Sequence, residues 1–579
     1  MPKTATRGPS KKGPKLKSSE YLFLITLAFT TVAVNPWTNI DPINQPKLLV
    51  LLLGLSVLIP SLVSNLIKLQ ILKDYFILYV LALALIYLSS AFFRERSPWI
   101  YLWGIYGRAT GSLAYVALLT VAMYAYLNRE MLQIALLLKW FIRTGYVVTG
   151  YAILQFADLD PIGWETRGQV GFSTLGNINF TSSFIGLTSV AMIGRAANTE
   201  KALPAKVWYL FVSFINALII YGSGSLQGFV TILTGIALLF LLRLFNSNFS
   251  IFRAAGATLL FVSGWVLSFI GLYGKGPLGA LLRQETMLFR LDYWDAGISM
   301  IRNFPWRGLG PDAYGSFYRE FRSNEATYRT DPSRFSDSAH NVLIDIGVSV
   351  GVIGLLVFIG ILFLTFLRSL RTIIKNSKKK EVDLGEFNII LVLFIVFALQ
   401  LIYSINQIGV TVWGMAFMGL LARRDLNFDK EQSTPDKKVS AVKWMQAEPK
   451  SDSRTFHFYF SMVLSGLLVT LVILPRSVND FNFKAAFSRG DFSELTRLSL
   501  DPVLPDGWGN LVLDRAIAEG RRSDSLPLAR NLVLKNERNF YAWSIIFRHE
   551  DSTSIERARA LRQMKRLDPQ NLALQDQLP

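Results

Sequence analysis

Three side chains that could carry chemistry lie together at the start of a long apolar segment. His340 and Asn341 come directly before residues 342–367, which contain little charge, and Asp345 lies inside that segment. A histidine exchanges a proton near neutral pH, since its ordinary pKa is about 6.5. A carboxylate inside an apolar helix is costly unless it is paired or functional. The group therefore predicts proton transfer at His340, with a helix-capping or interfacial histidine as the alternative.

Arginines are concentrated in the polar stretch that precedes and includes His340. Residues 274–340 contain eight arginines, one lysine and eight acidic residues. The planar guanidinium group binds phosphate through two parallel hydrogen bonds, so this composition favours a phosphate-bearing ligand. Arginine–carboxylate pairs inside a folded loop would explain the same composition, and this alternative stays open.

Two helices and a glycine turn are predicted to position these groups. Residues 287–302 have the pattern of an amphipathic helix that ends before Pro305. The turn Gly308-Leu309-Gly310-Pro311 follows, and a second polar helix is predicted over 312–324. A long apolar helix starts at 341, which places His340 at the mouth of a membrane span.

The composition predicts a polytopic membrane protein. Of the 579 residues, 51% are hydrophobic and only 17% are charged, whereas a soluble domain carries about 25% charged residues. A span needs about 20 apolar residues. Thirteen segments qualify: 20–36, 47–66, 74–93, 110–127, 133–156, 180–195, 205–221, 226–244, 252–273, 341–367, 387–404, 408–422 and 456–475. We therefore predict an all-α fold with about thirteen transmembrane helices.

The distribution of basic residues predicts the orientation of these spans. Cytoplasmic loops are enriched in Lys and Arg, which accounts for the net charge of +19 without a nucleic-acid partner. The basic tail 1–19 and the loop 423–455 are predicted to be cytoplasmic. The large loop 274–340 and everything after about 476 are then extracytoplasmic.

The C-terminal segment 476–579 differs in character from the rest. It is polar and helix-patterned, and Trp508 and Trp543 recur 35 residues apart in similar surroundings. A period near 34 residues is typical of tetratricopeptide-type helical repeats. We predict a helical-repeat domain that binds a protein partner, with degenerate helical hairpins as the simpler alternative.

Several kinds of site are excluded or disfavoured by the residues present. The chain contains no cysteine, so thiolate catalysis and thiolate metal sites are excluded. It has three histidines in distant segments and no phosphate loop of the GxxxxGK[ST] type. We therefore predict neither a metal nor a cofactor.

The motif around His340 resembles a known family. The spacing R-x3-W-x-A-x11-G-x-G, followed by His-Asn at the start of a glycine-bearing span, is similar to the O-antigen ligase and polymerase family, whose signature bacterial protein O-oligosaccharyltransferases share. The residues that carry it are Arg290, Trp294, Ala296, Gly308, Gly310, His340 and Asn341. The resemblance extends over roughly 140–425, within a transmembrane domain predicted at 20–475.

This resemblance implies a GT-C-like, inverting, metal-independent glycosyltransferase in the bacterial inner membrane. Such an enzyme moves a glycan from a polyprenyl diphosphate carrier to a hydroxyl on a lipid, glycan or protein acceptor. It implies a catalytic role for His340 and places arginines around the diphosphate. Arg290 and Arg167 are the main candidates on the predicted outer loops, and Arg283 and Arg307 are weaker ones.

Further substrate-binding candidates come from looser matches to the family pattern. Asn179 ends an Asn-Ile-Asn stretch where relatives have Asn-Pro-Asn, and Gln227 stands where many relatives have arginine. Asn341 and Asp345 complete the group around the histidine, whereas Trp294 is more simply a packing anchor. Ligase-type transfer is preferred, with a polymerase of the same family or a lipid or saccharide transporter as alternatives.

Overall fold

The protein is all-helical throughout the part of the chain that the structure describes. The computed structural model describes residues 18–37, 41–68, 74–92, 98–128, 134–164, 170–198, 202–246, 251–282, 285–329, 331–377, 385–423 and 451–577, and these ranges contain no strand. The predicted site residues Arg167 and Arg283 lie outside these residues, as do most of the predicted tail 1–19 and of the predicted loop 423–455.

In the described residues, eighteen helices form the first part of the molecule. They are α1 Ser18–Val32, α2 Asn44–Lys68, α3 Tyr75–Phe92, α4 Pro98–Trp103, α5 Ser112–Leu127, α6 Ile134–Phe156, α7 Ile178–Ala196, α8 Leu203–Gly222, α9 Leu226–Asn246, α10 Ile251–Leu272, α11 Gly279–Leu282, α12 Glu285–Asn303, α13 Tyr314–Phe321, α14 Asn324–Tyr328, α15 Val342–Ser377, α16 Gly385–Gln400, α17 Ile408–Leu421 and α18 Ser451–Leu468.

Each of the thirteen predicted spans coincides with one of these helices. Among the described residues, seven helical stretches are long and apolar enough to cross a membrane: those in α2, α3, α8, α9, α10 and α15, and the stretch Tyr459–Arg489. Four shorter helices, α1, α5, α16 and α17, are also apolar. The helices α6 and α7 are neither among the long apolar stretches nor among these shorter ones. A multi-spanning architecture is therefore supported, while the count of thirteen spans stays a prediction.

The centre of the bundle is formed by helices that are buried on almost every side. All fourteen residues of α17 are buried, as are most residues of α5, α7 and α16. A helix that is apolar around its whole circumference belongs in such a position. The backbones of α5 and α17 approach so closely that a Cβ added at Gly419 would lie 2.0 Å from the Ala122 carbonyl oxygen. By contrast, α10 lies at the edge of the bundle, and its apolar side chains are largely exposed.

The helix that follows His340 is interrupted, which the sequence did not predict. Gly351 has φ 78° and ψ −179° within α15, and the helix continues beyond the predicted end to Ser377. The turn after α12 pairs with the break: the N–H groups of Leu309 and Gly310 donate to the carbonyls of Val348 (2.6 Å) and Ser349 (3.0 Å). The Val352 N–H donates to the Pro305 carbonyl at 2.7 Å. Backbone groups freed inside an apolar span need such partners.

Alanine at Gly351 is expected to destabilise the protein by about 1–3 kcal/mol. The backbone conformation there is nearly exclusive to glycine, and an added Cβ would lie 2.6–2.7 Å from the carbonyl oxygens of Trp306 and Pro305. The measurement is thermal unfolding of purified protein in nanodiscs. Gly360→Ala on the same helix is the matched control, because its Cβ would come no closer than 3.8 Å to Tyr79. Equal melting temperatures for the two variants would contradict the prediction.

The polar segment between α12 and α15 differs from its predicted form. Instead of one helix over 312–324, α13 ends at Phe321 and α14 begins at Asn324. The Ser323 hydroxyl accepts the Ala326 N–H and so caps α14. The break arises because serine competes for backbone hydrogen bonds in helix interiors and favours caps.

The C-terminal residues form a second hydrophobic core. The helices are α19 Leu474–Arg489, α20 Phe492–Ser499, α21 Asp506–Ala518, α22 Arg522–Lys535, α23 Phe540–Arg548, α24 Ser554–Leu567 and α25 Leu572–Gln575. Trp508 and Trp543, which defined the period in the sequence, are both buried in this core. The boundary between the transmembrane and C-terminal domains was predicted at 475. It lies within one helical stretch, which runs from α18 through the π-helical segment Val469–Ile473 into α19. A relation to tetratricopeptide repeats stays a prediction.

Candidate functional site

His340 lies in the turn between α14 and α15, and its backbone is left-handed, with φ 53°. This conformation is uncommon for a residue other than glycine. The imidazole ring stacks on Tyr293 of α12, with the ring centroids 5.5 Å apart and the planes inclined by 30°. Its backbone N–H donates to the Ser338 hydroxyl at 3.2 Å. Contacts from two elements therefore hold the turn that presents the histidine.

Asn341 and Asp345, which were predicted to bind substrate, have side chains that bind the backbone around His340. The Asn341 side-chain oxygen accepts the N–H groups of Leu343 (3.0 Å) and Ile344 (3.2 Å), which caps α15. An Asp345 carboxylate oxygen accepts the Ala339 N–H at 2.8 Å. These bonds give both residues a structural role in shaping the turn.

Arg108 is a buried member of this group that the sequence analysis missed. Its Nε lies 2.7 Å from an Asp337 carboxylate oxygen, and its Nη2 donates to the Ser338 hydroxyl at 2.7 Å. The same hydroxyl accepts the His340 N–H. Arg108 stands in the short segment between α4 and α5, more than two hundred residues before Ser338. No local motif marks it, so only the fold brings it to the histidine.

Asp312 holds the chain segment around Arg108 by hydrogen bonds. This buried carboxylate accepts the N–H groups of Ile105 (3.1 Å) and Thr110 (3.0 Å) and the Thr110 hydroxyl (2.6 Å). A Cβ at Gly104 would lie 2.2 Å from it, so glycine is required there. Asp312 therefore joins the Arg108 segment to the turn after α12.

Arg290 lies on α12, half-buried, and among the described residues no carboxylate forms an ion pair with it. Its Nη1 donates to the Met287 sulfur at 3.9 Å. Burial lowers the pKa of its guanidinium. A half-buried cation without a counterion is costly, which makes Arg290 suited to bind an anion.

Three other arginines of the loop are paired with carboxylates. Arg329 forms a bidentate pair with Asp292, at 2.7 and 3.1 Å, and Arg319 and Arg322 both bind Asp568 of the C-terminal domain. Arg307 is exposed at the surface and has interactions of its own. Ion pairs therefore account for part of the arginine content of the loop, and for one pair, Arg329–Asp292, both partners lie within it.

The surroundings of His340 strongly favour its neutral form. Burial lowers its pKa, the positive charges of Arg108 and Arg290 lower it further, and Asp337 opposes them only in part. The resulting pKa is about 4. A neutral imidazole at pH 7 has a lone pair available to accept a proton.

Trp294 has the packing role that the sequence indicated. It is buried and its ring stacks on Phe269 of α10, at 6.2 Å and 17°. A second pair, Trp265 of α10 with Tyr403, stacks at 6.4 Å and 25°. These two aromatic pairs connect the peripheral helix α10 to α12 and to the turn between α16 and α17, close to Arg290.

Asn179 and Gln227 belong to a separate polar cluster. The Ser225 hydroxyl donates to the Asn179 side-chain oxygen at 2.9 Å and lies 2.6 Å from the Ser182 hydroxyl. Gln227 is buried, and its Nε2 has no partner among the described residues. The structure records no direct contact between this cluster and His340 in those residues.

The turn between α16 and α17 lies between the histidine turn and the polar cluster that contains Asn179. The Leu401 carbonyl accepts the Val342 N–H at 2.7 Å, next to the histidine turn. The adjacent Gln400 donates to Thr231 on the other side at 2.7 Å. A small cavity opens here and is lined by Phe180, Ser183, Gln400, Ser404, Gln407 and Thr411 among others. Its lining is neutral and rich in hydrogen-bonding groups.

The comparison with known families agrees with the resemblance found in the sequence. Residues 211–359 match the family model described as O-antigen ligase. No curated protein matches the chain significantly. The matched residues lie inside the predicted range of 140–425 and contain α12, the Gly308–Gly310 turn and His340. The resemblance is thereby confirmed: residues 211–359 of this chain are similar to the O-antigen ligase family.

Proposed function

We propose that this protein transfers a glycan from a polyprenyl diphosphate carrier to a hydroxyl acceptor at the outer face of the bacterial inner membrane. One observation carries the proposal: the His340 ring stacks on Tyr293 of α12, three residues along the helix from Arg290, and among the described residues no carboxylate forms an ion pair with Arg290. A base close to an anion-binding cation is what glycosyl transfer from a diphosphate requires.

The donor is expected to bind with its diphosphate at Arg290. Its charge would satisfy the cation, and the planar guanidinium can hold two phosphate oxygens at once. The polyprenyl chain would extend past the aromatic pairs Trp294–Phe269 and Tyr403–Trp265 toward α10, whose apolar side chains are largely exposed. Arg167 and Arg283 remain further candidates for the diphosphate.

The proposed reaction is a single displacement at the anomeric carbon. The acceptor oxygen attacks the anomeric carbon while the bond between that carbon and the diphosphate oxygen breaks. His340 takes the hydroxyl proton, and the polyprenyl diphosphate leaves with an added negative charge. Arg290 stabilises that charge, and attack from the face opposite the leaving group inverts the anomeric centre.

The neutral cavity between α7 and the α16–α17 turn supports a polar acceptor or donor sugar in the same region. Asn179 and Gln227 lie on the α7 and α9 side of this area. We favour ligase-type transfer to a lipid or protein over polymerisation because the C-terminal helical domain offers a surface for a polypeptide. A polymerase of the same family is the alternative.

A turnover assay tests the proposal. Purified protein in nanodiscs is supplied with polyprenyl-diphosphate-linked saccharide and acceptor from the native membrane, and release of free polyprenyl diphosphate is measured. A single large shift in product size indicates ligation, and a ladder indicates polymerisation. No release by the wild type in the presence of native acceptor would refute the transferase and favour a transporter.

The pH dependence of the reaction is expected to be unusual for a histidine base. Because the pKa of His340 is lowered to about 4, kcat/KM should stay constant as the pH falls from 8 to 5. An ordinary histidine would lose half of its basic form at about pH 6.5. Bound diphosphate would offset the arginine charges and raise the pKa, so kcat should decline at a higher pH than kcat/KM. A kcat/KM profile with a midpoint near 6.5 would contradict this prediction.

A further inference from the structure

We infer that Asp568, in the C-terminal helical domain, is a positioning residue that holds the chain segment leading into His340. Segment 332–338 leads into the histidine turn. Arg319 and Arg322 hold the start of this segment, and Asp568 of the C-terminal domain binds both arginines. The catalytic consequence of this inference rests on the proposed function, whereas its structural part does not.

The contact begins with a fully buried carboxylate. Asp568 is 0% exposed, and the Arg322 side chain that binds it is 1% exposed. Nη2 of Arg322 lies 2.7 Å from both carboxylate oxygens, and Nη1 of Arg319 lies 3.3 Å from one of them. A buried charge needs close partners of opposite sign, so each group requires the other.

The same two arginines hold three consecutive backbone carbonyls. Arg322 donates to the carbonyls of Pro332 and Arg334, both at 2.9 Å. Arg319 donates to those of Pro332 (2.8 Å) and Ser333 (2.6 Å). Two like charges side by side repel each other, and the carboxylate of Asp568 is what keeps both guanidinium groups at these carbonyls.

A short chain of contacts leads from these carbonyls to the histidine. The Arg334 guanidinium lies 3.7 Å from the centre of the Phe289 ring, directly before Arg290 on α12. The Ser336 hydroxyl donates to the Ser338 carbonyl at 2.7 Å. The Ser338 hydroxyl then binds both Arg108 and the His340 N–H. A displacement at 332–334 would therefore reach the His340 turn.

Other contacts attach the C-terminal domain to the outer loop independently of Asp568. Arg538 pairs with Glu320, and its guanidinium lies 3.5 Å from the centre of the Phe317 ring. The Leu572 N–H donates to the Tyr328 hydroxyl at 2.6 Å. The domain should therefore stay docked when Asp568 is neutralised, which separates positioning from attachment.

The absence of cysteine from the chain provides a direct test without substrate. Ser336→Cys introduces a single thiol at a buried position of the segment, and its rate of modification by a maleimide is measured in nanodiscs. Adding Asp568→Asn is expected to raise that rate at least tenfold. The matched control, Glu494→Gln, removes a carboxylate of an exposed ion pair in the same domain and should leave the rate unchanged.

Docking is measured separately. Tyr328→Cys with Leu572→Cys, both at exposed positions, is treated with a bifunctional maleimide, and the yield of crosslink should be the same with and without Asp568→Asn. If Asp568→Asn does not yield folded protein, Arg319→Gln tests the same anchoring, because it removes the Arg319 contacts with Asp568 and with the Pro332 and Ser333 carbonyls and keeps the Arg322–Asp568 pair.

Turnover supplies the functional readout. Asp568→Asn is expected to lower kcat at least tenfold with little change in the KM for the donor, since Arg290 is untouched. An unchanged thiol rate in folded Asp568→Asn, or loss of the crosslink, would overturn the positioning role. A wild type without turnover would refute the proposed function instead, and the thiol rate would still decide the role of Asp568.

Discussion

Replacement of His340 by asparagine is expected to lower turnover by about 10²- to 10⁴-fold, the usual contribution of a general base. Asparagine is the sharpest substitution because it tolerates the left-handed backbone of this position, with φ 53°. It cannot accept a proton from the acceptor at neutral pH. The measurement is release of polyprenyl diphosphate by wild type and variant at equal concentrations of folded protein.

His549 provides the control for this result. His549→Asn alters a residue in the C-terminal domain whose ring contacts the Arg522 carbonyl, far along the chain from the site, and should retain full turnover. Thermal unfolding of His340→Asn should show that the fold is kept. Equal release by wild type and His340→Asn would keep the enzyme but remove the histidine from its chemistry.

The pH dependence of the free energy of unfolding provides a second test of His340. The unfolded chain binds a proton at His340 below about pH 6.5, whereas the folded protein binds it only near pH 4. Between these values the unfolded state holds more protons, so the free energy of unfolding falls as the pH falls. His340→Asn should lose this part of the pH dependence.

Replacement of Arg290 by glutamine is expected to lower kcat by about 10²- to 10³-fold, the effect of removing one donor that stabilises developing negative charge. Arg290→Lys keeps the charge but loses the planar fork, so its turnover should lie between those of wild type and Arg290→Gln. Both variants are measured by the release of polyprenyl diphosphate at saturating donor.

Arg302 supplies a matched control on the same helix. It is an exposed arginine near the end of α12, and Arg302→Gln should leave kcat unchanged. Arg290→Gln should also raise the pKa of His340, because the charge of Arg290 contributes to lowering it. If Arg290→Gln retained wild-type kcat, the diphosphate would have to bind elsewhere, with Arg167 and Arg283 as the next candidates.

The amino-acid sequence by itself determined the helices and the resemblance to the O-antigen ligase family. Long apolar segments and their periodicity are local properties, so all thirteen predicted spans coincide with helices, and α12 at Glu285–Asn303 is close to the predicted 287–302. The spacing of Arg290, Trp294, Gly308 and His340 was enough to indicate the family that residues 211–359 match.

Only the tertiary structure decided which charges are free and what holds the histidine. Ion pairs form between residues that are distant in the sequence, so composition could not show that Asp568 binds Arg319 and Arg322 while Arg290 has no carboxylate partner in the part of the chain that the structure describes. Arg108 is brought to Ser338 from another loop by Asp312. The break at Gly351 depends on backbone partners supplied by the turn at 305–310. Such contacts form only when the chain is folded, because their free energy depends on burial and on partners that local patterns do not specify.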